Sequence, residues 1–222
     1  MDNNENEVLT QPEEEKVERV YKNGFDKFLH SKLFKQLLIF VIVFTSTFVA
    51  FNVTVESTFV DGNSMYPTLK NGDYGITYKL GFKLGSIKRF DIITFAYKED
   101  TYIKRVIGLP GETLEYTDGV LYIDGKVVEE KFLSEDYKMA TAEKKGGSFT
   151  YELGKNEYYV MGDNRKVNCG KGNTYCSYDS RSFGAIEYKD IKSRGLTLIG
   201  KCGSVEDGKC YDRSFFWPKK VK

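Results

Sequence analysis

Residues 101–125, TYIKRVIGLPGETLEYTDGVLYIDG, carry the pattern that decides the fold: apolar or alternating runs separated by turn residues. The runs at 101–109 and 120–125 are rich in Val, Ile and Tyr, which favour strands. The Asp-Gly pairs at 118–119 and 124–125 are typical of tight β-hairpins, because both positions tolerate a left-handed backbone. This stretch therefore predicts antiparallel strands joined by hairpins.

The same pattern continues through the rest of the chain after residue 56. Further runs that predict strands lie at 74–80, 90–97, 148–153, 157–162 and 195–201, and further Asp-Gly or Asn-Gly pairs at 61–62 and 71–72. Residues 133–145 have only a weak helical pattern, and we expect a loop there. The predicted fold is mainly β, with antiparallel sheets forming a partly closed, barrel-like domain at 57–222 and a small inserted hairpin region at about 113–156.

One segment breaks this pattern. The twenty residues between Lys35 and Glu56, QLLIFVIVFTSTFVAFNVTV, carry no charge, and as a helix they would span roughly 30 Å, the thickness of a hydrocarbon core. A buried core helix would show polar residues at a 3.6-residue period, and a cleaved signal peptide usually has a shorter leader and a small-x-small exit. We therefore predict an uncleaved transmembrane anchor at 36–56, with the lipid bilayer as its partner.

The charges on the two sides of the span predict its orientation. The basic residues of the N-terminal side are Lys16, Arg19, Lys22, Lys27, Lys32 and Lys35, whereas only Lys70 lies at a similar distance on the other side. The positive-inside rule then keeps residues 1–35 in the cytoplasm and exports residues 57–222. The predicted protein crosses the cell membrane once, and its acidic first fifteen residues form a disordered tail.

All four cysteines follow the span: Cys169, Cys176, Cys202 and Cys210. An even number of exported cysteines suggests disulfides, and two local pairs, Cys169 with Cys176 and Cys202 with Cys210, are the favoured pairing. The alternatives are a four-thiolate zinc site, although its spacings are usually shorter, and free thiols in an anaerobic environment.

Composition restricts the possible partners and chemistry. The formal net charge of +1 gives no electrostatic argument for nucleic acid as a partner. The single histidine, His30, precedes the span, so a Ser-His-Asp triad and a His-based zinc site are both excluded for the exported part. We predict neither a metal nor a cofactor.

A serine between turn residues, Ser64 in GNSMYPTL (62–69), could serve as a nucleophile if a base accepted its proton. Lys104 lies in the apolar run TYIKRVIGL, and burial without a carboxylate partner lowers the pKa of a lysine enough to make it a base. Lys104 and Arg105 face opposite sides of a strand; we expect Lys104 to turn inward and Arg105 to reach solvent. The alternative is an ordinary outward-facing Lys104 with Arg105 inside.

Four ordered motifs resemble those of type I signal peptidases (peptidase family S26), the membrane-bound enzymes that remove signal peptides from exported proteins. They are GNSMYPTL (62–69), KRFDIITF (88–95), YIKRVIGLPGE (102–112), and GDNR (162–165) together with SYDSRSFG (177–184). The resemblance implies that Ser64 is the nucleophile and Lys104 the general base of a Ser/Lys dyad. It also implies an acyl-enzyme and secretory preproteins as substrates.

The resemblance further implies that Ser177 orients the Lys104 amine and that Asp179 and Arg181 form a supporting ion pair. The oxyanion is expected near Gly62 and Ser64, with the Ser64 N–H as its donor. Substrate is expected to lie extended beside residues 58–62 and 101–104. The residues implied to line its pockets, each of which could equally belong to the core, are Val60, Met65, Leu69, Tyr102 and Ile103.

The sequence departs from the family pattern at three places. A longer segment, KVNCGKGNTYCSY, separates the GDNR and DSR motifs, Gly62 replaces a serine of some relatives, and Phe90 replaces a glycine. Two rival functions remain. Self-cleaving repressor-type Ser-Lys proteases share the chemistry but lack such an anchor, and a membrane-anchored protein could bind exported peptides without cleaving them.

Overall fold

We analysed a computed structural model, which describes residues 23–79, 85–142, 148–166, 176–206 and 209–221. The chain divides into two compact units, residues 1–48 and 49–222. The first described elements are helix α1 (Gly24–Leu29) and helix α2 (Lys32–Thr54). Helix α2 covers most of the predicted anchor at 36–56, beginning before it and ending two residues earlier.

Helix α2 has 23 residues, none of them buried, and it is long and apolar enough to cross a membrane. Three of its hydroxyl groups bond within the helix: Thr45 Oγ1 donates to Val41 O at 2.7 Å, Ser46 Oγ to Val43 O at 2.9 Å and Thr54 Oγ1 to Ala50 O at 2.8 Å. Such internal bonds allow Ser and Thr to lie in an apolar medium without exposed polar atoms.

The main sheet contains eight strands, all paired antiparallel. They are β1 (Val55–Phe59), β2 (Asp73–Tyr78), β3 (Ile92–Tyr97), β4 (Asp100–Gly108), β9 (Glu157–Met161), β10 (Ile186–Glu187), β11 (Ile191–Lys201) and β14 (Ser214–Lys220), numbered by their order in the chain. Their order in the sheet is β1-β2-β11-β3-β4-β9-β10, and β14 pairs with β11. The predicted mainly β, antiparallel fold is confirmed.

The main sheet is not closed into a barrel, and this corrects the predicted barrel-like shape. Within the described residues no ladder joins the two ends of the strand order, β1 and β10. The last strand, β10, has only two residues, Ile186 and Glu187, and pairs only with β9. The main sheet therefore keeps open edges.

The predicted insertion forms a second, four-stranded sheet of order β7-β6-β5-β8, called the inserted sheet below. Its strands are β5 (Thr113–Thr117), β6 (Val120–Ile123), β7 (Lys126–Val128) and β8 (Ser148–Glu152). Asp118 and Asp124 have φ values of 50° and 49°, and the glycine after each is also left-handed. The two Asp-Gly hairpins are therefore confirmed.

The loop predicted at 133–145 is wrong, because its described part contains helix α3 (Glu135–Ala142). Glu135 and Asp136 lie in the first turn, where negative charge favours the helix dipole. Tyr137 and Ala140 are 9% and 3% exposed, so tertiary packing supports a helix whose sequence period is weak.

Three apolar clusters stabilise the second unit, residues 49–222. One lies beneath the Ser64 turn and consists of Val60, Met65, Leu69, Ile92, Leu196 and Leu198. A short helix, α4 (Ser180–Phe183), follows the region 167–175, which lies outside the described residues.

Near the C-terminus, β12 (Ser204–Glu206) and β13 (Lys209–Tyr211) form a separate hairpin. The disulfide Cys202–Cys210 links it to the end of β11. Cys176 is also disulfide-bonded, and the other member of its predicted pair, Cys169, lies outside the described residues.

Candidate active site

Ser64 lies in the turn that connects β1 to β2, held between the sheet and the apolar cluster beneath it. The turn is closed by backbone bonds from Tyr66 N to Asn63 O at 3.1 Å and from Leu69 N to Met65 O at 2.9 Å. Met65 and Leu69 have no exposed surface. These buried neighbours fix the turn and leave the serine hydroxyl at the surface of a cleft.

Lys104 lies on β4 and points at this serine. Its amine donates to Ser64 Oγ at 2.8 Å and to the carbonyl of Ile103 at 3.0 Å. Only 2% of the residue is exposed, and no carboxylate lies within ion-pair distance of its amine among the described residues. The structure therefore brings the two predicted dyad residues into direct contact.

The pKa of Lys104 is lowered from 10.5 to about 8, mainly by burial; Arg181 also lowers it, whereas Asp179 and Asp163 act in the opposite direction. The charged amine is disfavoured because the surroundings solvate it less well than water does. At pH 7 about one tenth of such a lysine is neutral, compared with less than about one thousandth of an ordinary exposed lysine.

Gly162 and Ser177 lie directly behind the dyad. A Cβ on Gly162 would overlap both Ser177 Oγ and Ser64 O, so only glycine allows this close approach. Ser177 is completely buried; its Oγ makes no hydrogen bond of standard geometry among the described residues, but it lies close enough to Asp179 to help lower the pKa of that carboxylate. The structure thus places Ser177 beside the Ser64 backbone but shows no bond to the Lys104 amine, and the lysine-orienting role stays a prediction.

Asp179 and Arg181 form a buried, bidentate ion pair. Arg181 Nε donates to Asp179 Oδ1 and Nη2 to Oδ2, each at 2.9 Å. Asp179 also accepts from Gly162 N at 2.9 Å and caps helix α4 by accepting from Arg181 N. Burial raises the pKa of Asp179, but Arg181 and the Gly162 N–H outweigh it and hold the pKa below its usual value.

A cleft of about 720 Å³ runs past the dyad between two strand edges, residues 56–62 and residues 100–104. On one side, β1 pairs only with β2. On the other, β4 pairs with β9 only from Arg105 onwards, which leaves the preceding residues with a free edge. Unpaired backbone groups on both walls can accept an extended peptide as an additional strand.

The predicted pocket residues divide into two groups. Val60, Met65, Tyr102 and Ile103 line this cleft, although the first two also belong to the core. Leu69 is completely buried and is not among the residues that line the cleft. Because its side chain packs beneath the turn, we assign Leu69 to the core and not to substrate binding.

In the predicted oxyanion region the two backbone N–H groups differ. Gly62 has a φ of 96°, a conformation that favours glycine, and its N–H donates to Asn71 Oδ1 at 2.8 Å. That donor is therefore occupied. The N–H of Ser64 has no partner among the described residues, so it is the donor left for an oxyanion at this turn.

Comparisons with known proteins identify the family of this chain. The family described as "Signal peptidase, peptidase S26" matches residues 32–199. The chain belongs to this family. It is a serine peptidase of the signal peptidase I type.

Individual relatives cover most of the same region. The chain is 40% identical to a signal peptidase I of Bacillus caldolyticus over 140 residues, which are 60% of this chain and 72% of the relative. It is 31% identical to signal peptidase IB of Staphylococcus aureus over 73% of this chain and 87% of the relative. The crystal structure of a signal peptidase I from Enterococcus faecalis V583 is 31% identical over 49% of this chain and 96% of that chain, with a TM-score of 0.39.

Arg105 does not reach solvent, contrary to the expectation for this signal peptidase strand. The residue is 1% exposed, and its guanidinium donates to Asp163 through Nε at 2.9 Å and Nη2 at 2.7 Å. It also lies 4.0 Å from the centre of the Phe132 ring, which belongs to the segment between β7 and α3. The Asp163 carboxylate neutralises the guanidinium and the aromatic ring covers it. Arg105 can therefore be buried on the face of β4 opposite Lys104.

A second buried ion pair was missed by sequence reasoning. Arg165 Nη2 donates to Glu130 Oε1 at 2.6 Å, and the two side chains are 0% and 2% exposed. Arg165 is the last residue of the GDNR motif, which gave a usable signal. Glu130 lies in the charged run Glu129-Glu130-Lys131, which is typical of a solvated surface. Nothing in the sequence therefore indicated that Glu130 is buried beside Arg165.

The described residues contain no group of three or more His, Cys, Asp and Glu side chains arranged to hold a metal ion. The groups that meet at the Ser64 turn are a hydroxyl, a buried amine and a backbone N–H. That set can perform acyl transfer.

Proposed function

We propose that this chain is a membrane-anchored serine endopeptidase that removes N-terminal signal peptides from exported proteins, with Ser64 as nucleophile and neutral Lys104 as general base. The observation that carries the proposal is the 2.8 Å contact between Lys104 Nζ and Ser64 Oγ, made by an amine that is almost completely buried. Family membership supports the cleavage of signal peptides by a serine peptidase.

The first half of the reaction forms the acyl-enzyme. Neutral Lys104 accepts the hydroxyl proton of Ser64 while Oγ attacks the scissile carbonyl carbon, and the negative charge moves to the carbonyl oxygen. The N–H of Ser64 stabilises that oxyanion. When the peptide C–N bond breaks, the Lys104 ammonium gives its proton to the leaving amine, so the lysine is neutral again.

The second half hydrolyses the acyl-enzyme. Lys104 accepts a proton from a water molecule as the water attacks the ester carbon, and it returns that proton to Ser64 Oγ as the ester bond breaks. The carbonyl of Ile103, which accepts from the Lys104 amine at 3.0 Å, fixes the direction of the amine throughout. In this proposal Ser177 accepts the remaining N–H, and the Asp179–Arg181 pair supports the turn behind it.

The substrate segment is proposed to add as an extended strand between the free edges of β1 and β4. The backbone groups of both edges then bind the peptide without regard to sequence, and Val60, Met65, Tyr102 and Ile103 select its side chains. This mode of binding suits signal peptides, whose cleavage sites share small residues but little other sequence.

Chain connectivity supports a substrate presented at the membrane. Helix α2 ends at Thr54, and the ten residues from there to Ser64 can extend at most about 35 Å. A signal peptide presents its cleavage site at the end of its own apolar segment. With the basic residues of 16–35 retained in the cytoplasm, Ser64 and a translocated cleavage site lie on the same outer side.

A processing assay on a secretory precursor in detergent micelles tests the proposal. We expect Ser64→Ala and Lys104→Ala each to reduce cleavage by at least about a thousandfold, since neither half of the dyad acts without the other. Lys98→Ala, which removes an exposed lysine near the same strand, serves as the matched control and should cleave normally. Equal product from wild type and both dyad variants would refute the dyad, and binding without cleavage by the wild type would support the rival peptide-binding function.

A further inference from the structure

Arg165 connects the two sheets at a point close to the nucleophile. Its guanidinium donates through Nη2 to Glu130 Oε1 at 2.6 Å, through Nη1 to Tyr116 Oη at 3.0 Å, and through Nε to Gly162 O at 2.7 Å. Tyr116 lies on β5 of the inserted sheet, and Glu130 follows β7 of the same sheet. Arg165 itself follows β9 of the main sheet.

All three side chains of this group are buried, with exposures of 0% for Arg165, 0% for Tyr116 and 3% for Glu130. A buried guanidinium is tolerated only when its charge and its donors are matched. Glu130 supplies the charge, and the Tyr116 hydroxyl and Gly162 carbonyl accept further donors. Arg165 is therefore held in one position by two groups from the region of the inserted sheet, Glu130 and Tyr116, and by one carbonyl of its own turn, that of Gly162.

The turn that carries Arg165 also holds the nucleophile. Asn164 N donates to Ser64 O and Asn164 Nδ2 donates to Asn63 O, both at 3.0 Å. These bonds hold the backbone carbonyl groups on both sides of the Ser64 N–H in place. A shift of the turn at 162–165 therefore moves Ser64. Lys104 lies on β4 and is not held by these two bonds, so the distance between Ser64 and Lys104 changes.

We propose that Glu130 is a positioning residue for the peptidase reaction: by fixing Arg165, it ties the turn at 162–165 to the inserted sheet and keeps Ser64 in reach of Lys104. The inference rests on the proposed function. In this proposal the inserted sheet contributes to the reaction as well as to the fold. A displacement of about 1 Å in such a site can reduce a rate a hundredfold, so loss of this tie should appear in kcat.

A stabilising role and a positioning role predict different results for a double variant. Glu130→Met or Arg165→Met alone leaves one buried charge unpaired and destabilises the fold for that reason. The double variant buries no unpaired charge, so its stability should largely recover. It still lacks the guanidinium bond to Gly162 O, so a positioning role predicts that its rate does not recover.

The experiment measures kcat and KM for a peptide substrate, together with the urea midpoint, for the whole chain in micelles. We expect the double variant Glu130→Met/Arg165→Met to have a urea midpoint near that of the wild type, a kcat at least about tenfold lower and a KM within about threefold, because the cleft residues are unchanged. The exposed neighbour Glu129→Met is the matched control and should keep all three values. Recovery of kcat together with the midpoint would overturn the proposal.

A milder variant keeps the test decisive if the charge variants do not fold. Tyr116→Phe removes one hydrogen bond to Arg165 and no charge, and we expect kcat to fall about two- to fivefold at an unchanged KM. An unchanged kcat would again overturn the proposal.

Ser64→Ala distinguishes a failure of the proposed dyad from a failure of the proposed role of Glu130. If that variant cleaves as fast as the wild type, the dyad itself is wrong, whereas an inactive Ser64→Ala beside a fast double variant refutes only the role of Glu130.

Discussion

Lys104→Met removes the buried amine and keeps the length and apolar stem of the side chain. We expect this variant to be inactive, yet more stable than the wild type at neutral pH. The reason is that the folded protein lowers the pKa of Lys104 from 10.5 to about 8, mainly through burial. A group that must become charged in a poor solvent destabilises the folded state whenever it is protonated there.

Proton linkage gives the sign and the size of the effect of Lys104 on the free energy of unfolding. Because the pKa is lower in the folded than in the unfolded state, the penalty is fully present below pH 8 and disappears as the pH rises through 10.5. It is about 3 kcal/mol at pH 7, about 2 kcal/mol at pH 9 and about 1 kcal/mol at pH 10. Methionine escapes this penalty but loses the bonds to Ser64 Oγ and Ile103 O, roughly 1 kcal/mol each at any pH.

The expected difference therefore changes sign. Lys104→Met should be about 1 kcal/mol more stable than the wild type at pH 7 and about 1 kcal/mol less stable at pH 10. Urea unfolding of the whole chain in one detergent, followed by the near-UV circular dichroism of its tyrosines, measures this at each pH. Lys98→Met, at an exposed position, is the control. A stability difference that stays constant from pH 7 to pH 10 would refute a buried, perturbed amine.

Three further predictions follow from the same site. With a Lys104 pKa of about 8, kcat/KM should rise about tenfold from pH 7 to pH 9 and then level off; a rate that still rises tenfold per pH unit above pH 9 contradicts a lowered pKa. Asp163→Asn leaves the Arg105 guanidinium buried without its carboxylate and should lower the unfolding free energy by about 3–5 kcal/mol, measured against the exposed Asp136→Asn; equal urea midpoints would contradict this. Gly162→Ala puts a Cβ into Ser177 Oγ and Ser64 O and should reduce kcat at least about tenfold, whereas Gly24→Ala, which has open space, should not; wild-type kcat for Gly162→Ala would disprove the close approach.

Much of the secondary structure could be predicted because it depends on local chemistry. The hairpins at 118–119 and 124–125 require a left-handed backbone, which Asp-Gly provides, and all but the last residue of the charge-free run at 36–55 lies in the long apolar helix α2. Helix α3 could not be predicted in the same way. Its helical period is weak, and Tyr137 and Ala140 become helical because the fold buries them.

The active-site residues also include some features that the sequence predicts and others that it does not. The motifs identified Ser64 and Lys104, but which face of β4 would be buried depended on what covers each face. Both faces are covered: Lys104 faces the serine turn, and Arg105 faces Asp163 and the Phe132 ring. Strand alternation predicts that neighbours point apart and cannot predict that both find a buried partner.

The short-range features of this protein follow from the amino-acid sequence: strands, Asp-Gly turns, an apolar helix, and a serine and a lysine in motifs of the signal peptidase family. Which charges are buried, and which distant groups neutralise them, depends on the folded chain, in which Glu130 neutralises Arg165 across 35 positions of sequence. Backbone propensity acts between near neighbours in the chain. Desolvation and charge pairing depend on every group that the fold brings within a few ångströms.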